Sequence, residues 1–191
     1  MSDSTEKAGQ KEGFDAIHFA ISEVMKKSEL AEDPTHSEQV RKFVLQIDPD
    51  ASEELQIAAL SHDIERAVPP RISRMENEPY EVYKQRHAQR SATITAALMQ
   101  DHGYPEGSIE KVRHLIQNHE LGGDEETDKL RDADSASFFA DNLEEYLKRS
   151  GEVRTRDKIK LMYERASERT KYLIRSIDYP EEIERLIKDI I

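Results

Sequence analysis

Apolar residues recur every three or four positions along almost the whole chain, and no sustained run alternates apolar and polar with β-branched enrichment. A 3.6-residue period does not fit a pleated strand, whose side chains alternate with period two. The fold class expected is therefore all-α. Phe14, Ile17, Ile21, Val24 and Met25 share one face of a first helix over about 14–27. Asp33-Pro34-Thr35 starts a second, with Val40, Phe43, Val44 and Ile47 inward, and Asp48-Pro49-Asp50 ends it. Ser52 is placed to cap a third helix, which carries Leu55, Ala58 and Ala59 on one side and Ile57, Leu60 and Ile64 on the other. A helix apolar on both sides belongs at the centre. Val68-Pro69-Pro70 stops it, and 71–79 reads as an irregular loop. A long helix then runs to about Asp101, another opens at Pro105 and ends by Gly122-Gly123, and further helices are expected over 125–149, 154–176 and 180–190. Residues 1–12 read as a flexible polar tail and 13–191 as a single helical bundle domain, with no repeat, low-complexity segment or linker between.

The inward faces of these helices carry an unusual set of polar residues. At about 100° per residue, His36 lines up with Val40 and Phe43, and His62 with Leu55, Ala58 and Ala59. His87 aligns with Ser91, Ile94 and Leu98, His119 with Val112, Leu115 and Ile116, and Asp134 with Leu130 and Phe138. Asp63 follows His62 on the central helix. His114 points away from His119, Asp132 points away from Asp134, His102 falls at a helix end, and His18 lies at the edge of an apolar face. A single inward histidine is more often a hydrogen-bonded core residue than a ligand. Four of them with an inward acid are a different matter, because buried imidazoles and carboxylates are costly unless something compensates them. A divalent cation compensates all of them at once.

The absence of cysteine removes thiolate sites, disulfides and cysteine nucleophiles. The remaining nitrogen and oxygen donors suit Mn, Fe, Co, Ni, Mg or Zn. One ion is expected on His36, His62, Asp63 and Asp134. His87 and His119 are placed to hold a second that shares Asp63. One or two such ions would activate water and clamp a phosphoryl group. Residues 66–90 support a phosphate ligand: six cations against three acids give +3 locally, inside a chain of net charge -12. Arg66, four residues after His62, is the cation expected against the phosphate, with Arg71, Arg74, Lys84 and Arg90 as further substrate contacts. Glu65 is the candidate proton shuttle beside Asp63.

Composition narrows the partners. A chain this acidic disfavours nucleic acid, whose phosphates need basic surface. No apolar run approaches the roughly 20 residues of a membrane span. The first residues carry no apolar signal-peptide core, and the lack of cysteine suits a reducing cytosol, so a cytoplasmic location is expected.

The order of these residues resembles the HD-domain superfamily of metal-dependent phosphohydrolases. The segments that carry the resemblance are T-H-S-E-Q-V (35–40), A-A-L-S-H-D-I-E-R (58–66), R-H-A-Q-R-S-A (86–92), I-Q-N-H-E (116–120) and R-D-A-D-S (131–135). The resemblance implies an all-α HD-type bundle with a metal on His36, His62, Asp63 and Asp134, His87 and His119 matching the two-metal subset, and Arg66 at a position where many members carry Lys or Arg. The stretches H-E-L-G-G (119–123) and D-A-D-S-A-S-F-F (132–139) also look like uncharacterised HD-type proteins of the DUF4202 kind. Gly103-Tyr104-Pro105 is misplaced for the cyclic-dinucleotide phosphodiesterases, and the extra domains of alarmone enzymes are lacking, which disfavours both substrate classes.

The function expected is a metal-dependent phosphohydrolase, monoesterase or diesterase, that turns activated water on a nucleotide or other small phosphate ester. Two alternatives stay open: a non-catalytic metal- or nucleotide-binding regulatory module, and a di-iron HD-type oxygenase.

Overall fold

Ser52 begins the central helix by accepting the Leu55 amide hydrogen on its side chain, and Glu53 and Glu54 fill the first turn where the helix dipole favours acids. The computed structural model describes the backbone of residues 2–191 and the side chains of 13–191; the polar tail expected over 1–12 lies outside the fully described residues. The helices are α1 (Ser2–Met25), α2 (Asp33–Ile47), α3 (Glu53–Ser61), α4 (Tyr80–Asp101), α5 (Glu106–Asn118), α6 (Glu125–Ser137), α7 (Leu143–Ser150), α8 (Glu152–Glu164), α9 (Glu168–Arg175) and α10 (Glu181–Lys188). A 3-10 turn, Ile64–Ala67, follows α3, and a π-helical segment, Phe138–Asn142, joins α6 to α7. No strand occurs among the described residues, and none of the helices is long and apolar enough to cross a membrane.

The apolar side chains form two bodies. The first gathers α1 to α6 around α3, with Ile17, Ile21, Val40, Val44, Leu55, Leu60, Met99, Ile116 and Leu130 buried. The second gathers Phe138, Phe139, Leu143, Ile159, Met162, Ile174, Ile183 and Leu186 from the π segment onward. In sequence the first ends at Ala133 and the second begins at Phe138.

Three expected helices differ in extent. The helix over 125–149 is interrupted by the π segment, which adds a residue to one turn and shifts the phase between Asp134 and Phe139. The helix over 154–176 is two helices. Ser167 caps α9 by accepting from the Thr170 amide, and Asp132 receives the Ser167 amide at 2.9 Å and the Thr170 hydroxyl at 2.9 Å. The helix begun at Ser52 ends at Ser61 rather than Val68, and this break decides where Asp63 and Arg66 go.

Helix α6, which carries Asp134, is anchored at its start by a capping box. Asp124 accepts the amides of Glu126 and Thr127 at 3.1 and 3.0 Å, and the Thr127 hydroxyl oxygen accepts the Asp124 amide at 3.0 Å. The His114 imidazole beside it and the Thr127 amide hold the Asp124 carboxyl below its ordinary value. Asp124→Ala should therefore cost about 0.5–2 kcal/mol in urea unfolding at pH 7. A depressed native pKa stabilises above the unfolded value of 3.8, so the gap between variant and wild type should close as the pH falls below it. Equal midpoints at pH 7 would rule out the cap.

Candidate metal centre

The last carbonyls of a helix have no partner within it. At the ends of α3 and α5 a histidine fills that role. His62 follows Ser61, and its Nδ1 donates to the Ala59 carbonyl at 3.0 Å; His119 follows Asn118, and its Nδ1 donates to the Ile116 carbonyl at 2.7 Å. Each ring is thereby fixed with Nε2 turned inward. Both Nε2 atoms are buried and have no hydrogen-bond partner. The rings lie edge to face with centroids 5.1 Å apart. His36 uses the same device from the first turns of α2: its Nδ1 meets the Ser137 hydroxyl at 2.9 Å, and its Nε2 lies 3.2 Å from Asp134 Oδ1. His102, by contrast, caps the Leu98 carbonyl in the same way but faces solvent.

These atoms form two donor groups that share His62. One is His36, His62 and Asp134; the other is His62, Asp63 and His119; in each, one donor atom per residue lies within 4.8 Å of the others. His62 Nε2 is 3.7 Å from Asp134 Oδ1 and 3.6 Å from Asp63 Oδ2. Orphaned, tautomer-fixed imidazole nitrogens among carboxylates suit a borderline divalent cation. Buried polar nitrogens without partners otherwise stand as an uncompensated cost.

The electrostatics agree. Burial alone would raise the carboxyl of Asp63, but Arg66 and His62 beside it hold it well below the ordinary range. Arg165 does the same for Asp134 against its burial. Burial pulls the His62 imidazole down, yet the carboxylates of Asp63 and Asp134 outweigh it and leave it raised. The pocket thus favours positive charge at His62, which a proton or a metal ion satisfies. His119 is lowered by burial, which favours its neutral, ligating form.

The arrangement departs from the expected one at several residues. Asp63 does not join His36 and Asp134 around one point; it groups with His62 and His119. The cause is the end of α3: Asp63 leaves the helical path (φ -108°, ψ 12°), and Arg66 Nη1 takes its Oδ2 at 2.6 Å. Arg66 consequently pairs with Asp63 and, at 3.3 Å, Asp33, rather than sharing a helical face with His62. His87 is in neither donor group. It is wedged behind Asp63, with Nε2 2.6 Å from Asp63 Oδ1 and Nδ1 2.7 Å from Glu65 Oε1. Glu65 gives its other oxygen to the Ile72 amide at 3.0 Å and is buried behind His87, off the cavity lining.

A cavity of about 270 Å³ opens over the donor groups and is lined by His36, Asp63, Asp134, Arg66, Arg71 and Lys84 among others. Of the expected substrate contacts, Arg74 and Arg90 are not on it. Arg74 donates to the Glu78 carbonyl at 2.9 Å and Arg90 to the Val68 carbonyl at 3.1 Å, so both serve the 71–79 loop and its flanks. Three residues outside the expected set do belong to the site. Glu120 lies 3.3 Å from His119 Nε2, pairs with Lys84, and receives Arg165 Nη1 at 2.8 Å. Arg165 also pairs with Asp134 and donates to Ser135 Oγ at 2.9 Å. Lys158 lines the cavity. The one local signal for these is Glu120 beside His119; Lys158 in the middle of α8 and Arg165 just after its end reach the site only through the packing of the second apolar body.

The family model for "Domain of unknown function (DUF4202)" matches residues 12–187, and the chain belongs to that family. No curated protein and no solved structure matches the chain.

Proposed function

We propose that this DUF4202 member is a metal-dependent phosphohydrolase of the HD-domain type that acts on a nucleotide or other small phosphate ester. The observation that carries the reading is the pair of orphaned, buried Nε2 atoms of His62 and His119, grouped with ionised Asp63 and, for His62, Asp134, two carboxylates that line an open cavity. His36, His62 and Asp134 would hold one ion, and His62, Asp63 and His119 a second or an alternative position. A divalent ion there supplies Lewis acidity toward a phosphoryl oxygen and acidifies water.

The side chains supply the rest. Arg66 is tethered at the cavity wall by Asp63 and Asp33 and stays partly open, so its guanidinium is positioned to neutralise charge developing on the phosphoryl group. Glu120 is held well below the ordinary carboxylate range by Lys84 and His119 in spite of burial, which makes it a poor proton acceptor and an electrostatic partner of the cations instead. His87 and Glu65 fix the orientation of Asp63 from behind.

Elemental analysis of protein purified without chelators, followed by a phosphate-ester screen with Mn, Co, Ni, Mg and Fe, tests the reading. Bound metal and metal-dependent phosphate release are expected. Metal-loaded protein that turns over no ester would leave a non-catalytic binding module, and iron-dependent oxygen uptake would make it an oxygenase.

A further inference from the structure

The cavity wall carries five cations, Arg66, Arg71, Lys84, Arg149 and Lys158, and five acids, Glu32, Asp33, Asp63, Glu120 and Asp134, so its lining sums to zero. Four of the cations are already neutralised. Arg66 pairs with Asp63, Lys84 with Glu120, Arg149 with Glu32, and Arg71 with Glu29 at 2.9 Å. Lys158 is the exception: among the described residues no carboxylate lies within 4.0 Å of it, and its ammonium sits 5.8 Å from the centroid of the Phe138 ring. It comes from α8 and lines the same cavity as His36, Asp63 and Asp134, which come from α2, the end of α3 and α6. Lys158 is half-buried on the cavity wall, and an ammonium partly withdrawn from water without a counter-ion is unfavourable. An anion bound in the cavity would remove that cost.

We propose that Lys158 binds the terminal oxygens of the substrate's phosphate and gives the site its preference for phosphate monoesters over diesters. This inference rests on the phosphohydrolase reading. With a divalent ion added, and Arg165 behind Asp134 and Glu120, the site carries an excess of positive charge, which a monoester near −2 offsets further than a diester at −1. A terminal phosphate has three non-bridging oxygens against the two of a diester, so it can meet the ion and still offer an oxygen to Lys158. Burial and the nearby Lys84 charge lower the Lys158 ammonium to about 8, a shift that a bound dianion would reverse.

Metal-loaded wild type, Lys158→Met and Lys158→Arg should be titrated with inorganic phosphate by calorimetry, and assayed on p-nitrophenyl phosphate and bis-p-nitrophenyl phosphate. Loss of one charge-assisted contact predicts phosphate binding weakened about tenfold or more in Lys158→Met. The monoester KM should rise by a similar factor with kcat less affected, the diester KM should change less than about twofold, and Lys158→Arg should recover most of the binding. Unchanged melting temperature and metal content identify the effect as local. Phosphate bound equally by wild type and Lys158→Met, phosphate not bound by wild type, or equal losses on both esters overturns the inference. Wild type that binds phosphate through Lys158 but hydrolyses nothing overturns the hydrolase reading and leaves the anion site standing.

Discussion

His62→Gln should leave the purified protein with less than about a tenth of the wild-type metal. His62 belongs to both donor groups, so a single substitution disables each of them. Losing even an outer partner of a ligand commonly costs 10–100-fold in affinity, and losing the shared ligand costs more. A second readout is thermodynamic. At a metal concentration about a hundredfold above Kd, binding stabilises the folded wild type by about 2.7 kcal/mol, visible as a raised unfolding midpoint. His62→Gln should show no such rise. His114→Gln is the control, because His114 is exposed and bonded to Asp124 away from the site. Wild-type stoichiometry in His62→Gln would remove the metal centre altogether.

Arg165→Met should be the most destabilising change in the second half of the chain, and the loss should depend on metal. Arg165 is nearly buried and balances two buried carboxylates, Asp134 and Glu120. Removing one partner of a buried ion pair typically costs about 3–5 kcal/mol, since the charge left behind is uncompensated. With chelator present, urea unfolding should show a loss of that size. With saturating Mn²⁺ much of it should return, because a cation at Asp134 takes over half of the work of Arg165. A loss under about 1 kcal/mol in chelator would mean that water already solvates these carboxylates.

The sequence carried the helices well because the period that identifies them is local. It also carried the inward direction of His36, His62, His119 and Asp134, which needs only the phase of one helix at a time. All four are buried in the structure. Asp63 was misplaced because its position depends on α3 ending at Ser61, and nothing in Ser61-His62-Asp63 announces that end as Val68-Pro69-Pro70 announces a later one. His87 was assigned to metal because an inward histidine looks the same whether its ring meets an ion or two carboxylates. Local charge density identified a basic stretch but not its geometry: Arg66, Arg71 and Lys84 reach the cavity, while Arg74 and Arg90 hold loop carbonyls. Arg165 and Lys158 come to the site from more than twenty residues beyond Asp134, and only tertiary packing brings them there. The all-α fold is seen directly, because every described element is helical.

The division of the interior into two apolar bodies has a consequence for how this molecule can be cut or repaired. The imidazoles hang from the amino-terminal body, while Arg165 and Lys158 hang from the carboxy-terminal one. A fragment ending at Ser137 would keep every histidine yet lose both the guanidinium that steadies Asp134 and the Lys158 ammonium of the cavity lining. Such a piece would be a cation trap without an anion seat, so the two halves are modular as cores but indivisible as chemistry.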